Sequence, residues 1–343
     1  MNKQTQQLPV VLLTGASAGI GRETATLLAR RGYRVFGASR SPHKTAPIPG
    51  VTMMALDLND VESIHTCVDG VRAQAGRIDY LINNAGMVGP GASGEELDIR
   101  TVRALFEINF FGAVQLINAV LPEMRARRSG VIVNISSITG MVALPPYFAF
   151  YAASKHALEA YTEGLRHELA PLGIRVALVE PGYTKTAIGD SIAEPDHPIA
   201  DYAPHRTAVR ALNRAGILSG SAPEEVAHCV LRVVESRNPA LRNLTGPDAV
   251  AMALAKRFLP ARIFEELGRW LFAARGPAAG SVAAAGTVPS LDEMGIRRLV
   301  FDVHSLRRLL QASAAVTAGA LLLGAIFRTA SKRQRSNSVS NHA

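Results

Sequence analysis

Short apolar runs alternate with helical patterns through the first two-thirds of the chain, and this order constrains the fold more than any other feature. Strand-like runs fall at 10–14, 34–39, 51–56, 80–83, 131–136 and 175–180, with a shorter one at 241–245. Several are apolar nearly throughout, as expected of strands covered on both faces. Helical patterns occupy 21–31, 61–75, 101–127 and 151–169 between them. The alternation predicts an α/β fold: a doubly wound parallel sheet of about seven strands, with right-handed crossovers and helices on both faces. Further helices are predicted at 223–236 and 260–274. From 186 to 222 the pattern breaks down around Pro195, Pro198 and Pro204. A long excursion with short helices, of the kind that covers an active site, is expected there.

The chain has 343 residues, 48% of them apolar and only 19% charged, which excludes a solvated disordered chain. Its formal net charge of +9 is unevenly spread. From Lys256 onward there are 13 Lys/Arg against 5 Asp/Glu, leaving 24 against 23 before it. The basic excess therefore belongs to the C-terminal end and suits an anionic surface, not a nucleic-acid-binding core. Cys67 and Cys229 show neither a pairing pattern nor metal-ligand spacing, which fits a reducing, cytoplasmic compartment. The first apolar run is too short for a signal peptide. The nine histidines carry no metal-binding spacing, and His156, His167, His197 and His205 are expected on the surface or in loops. The acidic pairs Glu95-Glu96, Glu224-Glu225 and Glu265-Glu266 are expected at exposed helix starts.

The first chemical signal is "VVLLTGASAGIGRETA", an apolar strand running into Gly15, Gly19 and Gly21 and then a helix. The glycines allow a tight turn and close approach to a pyrophosphate, and the helix N-terminus offers free N–H groups and a favourable dipole. Such a loop belongs to a Rossmann-type sheet. The second signal is "FYAASKHALEA", where Tyr151 stands four residues before Lys155. Residues four apart on a helix share a face. Two unit charges ~4 Å apart at an effective dielectric of ~20 interact by roughly 4 kcal/mol. That would carry a phenol from its reference pKa near ~10 towards neutrality, where it can exchange a proton.

These motifs, together with four others in order, resemble the short-chain dehydrogenase/reductase family, classical type. "TGASAGIG" is similar to its glycine motif, "NNAG" (83–86) to the turn after the fourth strand, and Asn109 in "INFFG" to its helix asparagine. "NISSITG" carries Ser137, "YAASK" matches YxxxK, and "PGYTKT" (181–186) resembles the cofactor-contacting segment after the sixth strand. The resemblance covers roughly residues 8–274. It implies Tyr151 as general acid/base and Lys155 as the group that lowers its pKa and binds the nicotinamide ribose. It implies Ser137 as the hydrogen-bond partner of the substrate oxygen, and Asn109 as the holder of a relay water. Ser137 stands 14 residues before Tyr151, where 13 is common, so Ser136 competes with it. Ser137 is preferred because a residue just beyond the strand end points into the cleft. Cofactor contacts are implied for Gly15, Ser17, Gly19, Ile20 and Gly21, for Asp57 and Asn84, and for Pro181, Gly182, Thr184 and Thr186, besides Tyr151 and Lys155.

The second strand ends at Ser39 and Arg40, with no carboxylate to repel a phosphate, and Arg40 can hold one through paired N–H donors. NADP(H) is therefore expected over NAD(H). "MVALPPYFAF" and the 187–222 excursion form the expected substrate wall, with Leu144 and Tyr147 beside Ser137 and Tyr151 as contacts. Its apolar character suggests a lipophilic ketone, aldehyde or alcohol, and the layout is similar to hydroxysteroid and retinol dehydrogenase-like members. A 3-oxoacyl thioester reductase and a non-catalytic NADP-binding scaffold stay open as alternatives. The family commonly dimerises through the long helices, which implies a homo-oligomer.

The expected domain spans 8–275, a Gly/Ala-rich linker 276–290, and a C-terminal helical tail 291–343. In the tail, Ile296, Leu299, Val300, Val303, Leu306 and Leu310 share one helical face, with arginines largely opposite. A 16-residue apolar run at 312–327 follows, shorter than the ~20 residues of a span. Membrane insertion, surface attachment, and a soluble or disordered tail all stay open.

Overall fold

A computed structural model of the chain describes residues 8–272. The linker and tail expected at 276–343 lie outside the described residues. Seven strands form one sheet: β1 (Val10–Thr14), β2 (Arg34–Ser39), β3 (Val51–Ala55), β4 (Tyr80–Asn83), β5 (Gly130–Ile135), β6 (Ile174–Pro181) and β7 (Arg242–Thr245). The spatial order is β3-β2-β1-β4-β5-β6-β7, and every pairing is parallel. The order reverses between β1 and β4, so a crevice opens above their C-terminal ends.

Alternate strand residues point to opposite faces. Leu12, Phe36, Leu81, Ile132 and Val176 face one layer with α2 (Val61–Ala75), α4 (Gly112–Arg127) and α5 (Ala149–Leu169). Val11, Leu13, Ile82, Val133 and Val179 face the other, against α1 (Gly19–Arg30) and α7 (Pro223–Glu235). This two-sided burial explains why the strands read as apolar runs. Asp60 starts α2 by accepting the Glu62 N–H at 3.0 Å, and Gly76 ends it in the left-handed region.

The helix predicted over 101–127 is broken. It begins as α3 (Ile99–Phe106), passes through a π-helical turn (Glu107–Phe111), and resumes as α4. The wider turn lets buried Asn109 bond a backbone outside its own helix. Its side chain accepts from Met87 N–H at 2.9 Å and donates to Met87 C=O at 2.8 Å and Ser154 Oγ at 3.0 Å. By length and composition the stretch Ile99–Arg127 could cross a membrane. Here Leu116, Ile117, Val120 and Met124 bury one face of it on the sheet.

Two further expectations are corrected. The 186–222 excursion holds not only short helices but α6 (Ala203–Ser219), 17 residues long. Glu96 is not an exposed helix-start residue: it is 0% exposed. It accepts from Ser93 N–H and Ile199 N–H, each at 2.9 Å, and pairs with the buried Arg206 of α6. Burial alone would raise its carboxyl, but these donors hold it below the usual carboxylate range. Glu96 thus fastens the excursion to the loop before α3. Glu224 and Glu225 are exposed at the start of α7 as expected. Glu265 and Glu266 are also exposed, but within α9 (Ala261–Phe272) and paired with Arg269.

Removing one partner of a buried ion pair strands the other charge and costs about 3–5 kcal/mol. Glu96→Ala is expected to destabilise the protein by that order in urea denaturation. The double substitution Glu96→Met/Arg206→Met should recover most of the loss, because no unpaired charge is left.

Candidate active site

The crevice is a cleft of about 710 Å³ above the C-terminal ends of β1, β4, β5 and β6. Its floor is built by bonds between β1 and β4. Thr14 Oγ1 accepts from Asn84 N–H (3.0 Å) and Ala85 N–H (2.9 Å), and Asn84 Nδ2 donates to Thr14 C=O (2.9 Å) and Gly15 C=O (3.3 Å). A Cβ on Gly21 would run into Gly15 O and lie 2.5 Å from Asn84 Nδ2, so this approach requires glycine. Gly15 and Gly19 both have positive φ, at 69° and 52°. No side chain caps the first N–H groups of α1. Ser17 and Ile20 line the cleft beside them.

Beyond β6, the segment holding Pro181, Gly182, Thr184 and Thr186 folds back over this loop. Thr186 Cγ2 lies 3.1 Å from where a Gly19 Cβ would stand. Asp248, in the first turn of α8 (Pro247–Phe258), accepts from Tyr183 N–H at 2.7 Å and fills the space a Gly182 side chain would need. At the opposite end, Asp57 lines the cleft with its carboxylate bonded to Asn59, and exposed Arg40 stands at the rim. Ser39 Oγ is buried there without a hydrogen-bond partner. The glycine cradle, the uncapped helix start and this orphaned hydroxyl fit a dinucleotide cofactor.

Ser137, Tyr151 and Lys155 meet on the same cleft. Ser137 caps a short 3-10 turn (Ile138–Gly140), its Oγ accepting from Thr139 N–H at 3.2 Å. The competing Ser136 is buried, and its Oγ sits 2.7 Å from the position of a Gly140 Cβ, on the Glu159 side. Both serines line the cleft, Ser137 at the start of the 3-10 turn and Ser136 buried towards Glu159. Lys155 is 5% exposed and donates to Ile135 C=O at 3.0 Å. Asn109 Oδ1 and Lys155 Nζ both face Gly86, 3.2 and 3.5 Å from where its Cβ would be. Asn109 therefore stands beside Lys155, as expected.

The electrostatics differ from the sequence expectation. Burial pushes the Tyr151 phenol above its ordinary pKa, while the Ser137 and Thr139 hydroxyls act in the opposite direction. Lys155 does not offset this: its Nζ is 6.0 Å from the ring centre and is turned to the Ile135 carbonyl. Burial lowers Lys155 itself to about 8, against the raising influence of Glu159. In the protein alone, then, the phenol keeps its proton and Lys155 titrates near physiological pH.

The substrate wall also differs. Val142, Leu144, Pro145 and Phe148 line the cleft as expected, but Tyr147 is not part of its lining. The chain takes a left-handed turn at Tyr147 (φ 66°), which directs the side chain away. Its hydroxyl meets His205 Nδ1 at 3.1 Å and its ring packs edge-on against Tyr202. His205 is accordingly half-buried rather than on the surface, and its Nε2 lies 2.6 Å from the Phe272 carbonyl oxygen. His156, His167 and His197 are exposed, as expected. Asn213 and Ile217 of α6, Met252 of α8 and Phe272 of α9 complete the cleft. No local signal marks these four: they reach the site only through the packing of elements late in the chain.

Comparison with known proteins agrees with this arrangement. A profile for short chain dehydrogenase matches residues 9–197. The chain is 37% identical over 272 residues to a 3-ketodihydrosphingosine reductase of Bacteroides thetaiotaomicron, covering 78% of this chain and all of the relative. It is 33% identical to retinol dehydrogenase 8 of Bos taurus, covering 73% of this chain and 85% of that one. Among solved structures, a short-chain dehydrogenase from Streptomyces avermitilis superposes with a TM-score of 0.66 at 34% identity, covering 78% of this chain and 97% of its own. With a parallel sheet reversing at β1 and β4, a glycine cradle there, and a tyrosine and lysine one turn apart beside it, the chain belongs to the short-chain dehydrogenase family of oxidoreductases acting on CH–OH groups.

Proposed function

We propose that the protein is an NADP(H)-dependent reductase of a lipophilic ketone, working through Tyr151. The observation that carries this reading is the convergence of Ser137, Tyr151 and Lys155 on an apolar cleft beside the glycine cradle. The similarity to a 3-ketodihydrosphingosine reductase and to a retinol dehydrogenase supports a lipophilic substrate.

When bound, the nicotinamide supplies or accepts the hydride. The chain's own residues handle the proton. Ser137 Oγ donates a hydrogen bond to the substrate oxygen and sets it against the Tyr151 hydroxyl. Tyr151, kept protonated by burial, gives its proton to that oxygen as negative charge develops on it. The Lys155 ammonium stabilises the phenolate left behind and binds the ribose. Asn109, anchored on both sides of the Met87 peptide, keeps its place beside Lys155. Arg40 supports NADP(H) over NAD(H): it follows the end of β2, where no carboxylate stands, and its guanidinium matches a phosphate. Asp57 faces the adenine end of the cleft.

The decisive measurement follows NADPH oxidation across a panel holding 3-ketodihydrosphingosine, a steroid ketone, retinal and a 3-oxoacyl thioester. Turnover of the lipophilic carbonyls, reduced about 10²–10⁴-fold by Tyr151→Phe, is the expected result. Preference for the thioester would replace the proposed substrate class, and full activity of Tyr151→Phe would remove the proposed mechanism.

Arg40→Ala is expected to weaken NADPH binding about ten- to a hundredfold while leaving NADH binding nearly unchanged, as charge-assisted hydrogen bonds are lost. Fluorescence titration of both nucleotides checks this, and an unchanged affinity ratio argues against NADP(H) selection by this residue.

The pH dependence has a definite sign. Lys155 loses its charge as pH rises through about 8, so ketone reduction should be flat at neutral pH and fall above it. Alcohol oxidation needs the phenolate and should instead gain as pH rises. Initial rates in both directions, with saturating nucleotide, test the pair of slopes.

A further inference from the structure

One turn beyond Lys155, the same helix carries a second group of ionisable side chains that the reaction above does not use. Glu159 of α5 is 3% exposed and Glu180 of β6 is 0% exposed. Arg242 of β7 bonds both: its Nη1 contacts Glu159 Oε2 and lies 2.7 Å from Glu180 Oε1. Its Nη2 reaches exposed Glu163 at 3.4 Å. Glu159 Oε1, Glu180 Oε2 and the neighbouring Ser136 Oγ are buried without hydrogen-bond partners. Ser136 Oγ and Glu159 Oε1 crowd the same point, 2.7 and 2.9 Å from where a Gly140 Cβ would stand.

Two buried carboxylates on one guanidinium are more acid than an ion pair needs. A buried pair serves stability no better than well-packed apolar residues of the same volume, and the second carboxylate adds a desolvation penalty. The charge distribution gives the arrangement a use. Burial, and after it the adjacent Glu159, push the Glu180 carboxyl up to about 8, with Arg242 acting downward, and Glu159 stands one turn from Lys155 on α5. The groups facing Lys155 are Tyr151 and Glu159 on its own helix, the Asn109 amide of the π turn, and the Ile135 carbonyl of β5. Those facing Glu159 are Lys155 on α5, Glu180 on β6, Arg242 on β7, and Ser136 with Gly140 after β5. Among these, Glu159 is the anion that opposes loss of the Lys155 proton.

We propose that Glu159 is a positioning residue for the reaction: its carboxylate, fixed by Arg242 in a buried cluster with Glu180, holds Lys155 as an ammonium ion beside Tyr151. This rests on the Tyr151–Lys155 reading of the site, but it concerns a charge state that is measurable without turnover.

The test is an NMR titration of the full-length protein labelled with 13C at the lysine ε-carbon, without nucleotide. The Lys155 signal is identified by its loss in Lys155→Met. Glu159→Gln is expected to lower the Lys155 midpoint by about one pH unit or more, since a unit charge one turn away is removed from a buried site. Glu163→Gln, whose charge is exposed to solvent, should leave the midpoint in place. Glu159→Met provides a second variant should Glu159→Gln not fold: it removes the same charge while Glu180 still pairs with Arg242, and the midpoint falls as well. Circular dichroism and the thermal midpoint report the fold of each variant. A Lys155 midpoint unchanged in folded Glu159→Gln, or in folded Glu159→Met, overturns the proposal. If no carbonyl is turned over by any form of the protein while the Lys155 shift is observed, the proposed function fails and the electrostatic coupling stands. If turnover is observed, the alkaline limb of the reduction profile should move down with the NMR midpoint.

Discussion

The site depends on the way β1 and β4 are tied together at their C-terminal ends. Thr14 Oγ1 takes two N–H donors from the turn after β4, and Asn84 returns its amide to the carbonyls of Thr14 and Gly15. These bonds bring two backbones so close that a side chain at Gly15 or Gly21 has no room. The sheet reverses its winding at this seam, so the helices that follow β1 and β4 leave on opposite faces. What opens between them is the cleft, and the N-terminus of α1 points into it.

The second constraint is the cost of keeping Lys155 inside. An ammonium ion taken out of water needs donors satisfied and charge opposed. One N–H goes to the Ile135 carbonyl, and a buried carboxylate stands one turn away on the same helix. The phenol of Tyr151 is buried with it, and burial holds it above its ordinary pKa. The π turn belongs to this arrangement too. It places Asn109 where both of its amide ends bond the Met87 peptide, so the loop after β4 and the long helix pair are held in one register beside Lys155.

The outer wall of the cleft is made differently. It is assembled from the 142–148 loop, α6, α8 and the end of α9, which are joined by a few specific contacts. Glu96 with Arg206 secures the excursion. Tyr147, His205 and the Phe272 carbonyl link the loop, α6 and α9. Polar clasps of this kind fix position through geometry, whereas the sheet beneath is held by close-packed apolar layers. Variation in the wall can therefore alter what the cleft admits without disturbing the cradle.

Much of this was legible in the amino-acid order. The alternation of apolar runs and helical patterns determined a parallel doubly wound sheet, because strands buried on both faces must be apolar throughout. The glycines at 15, 19 and 21, Tyr151 four residues before Lys155, and Ser137 at a strand end pointed to the family, because each is a local spacing. The tertiary structure alone decided the rest. Asn109 required a π turn that helical periodicity does not show. Glu96 read as surface until Arg206, 110 residues later, was found against it. Tyr147 read as a substrate contact until a left-handed turn carried it towards His205. Burial lowers Lys155, and the Glu159 carboxylate that opposes this from the same helix is itself held by Arg242 from β7. Burial and long-range pairing are properties of the assembled layers, and no spacing along the chain encodes them.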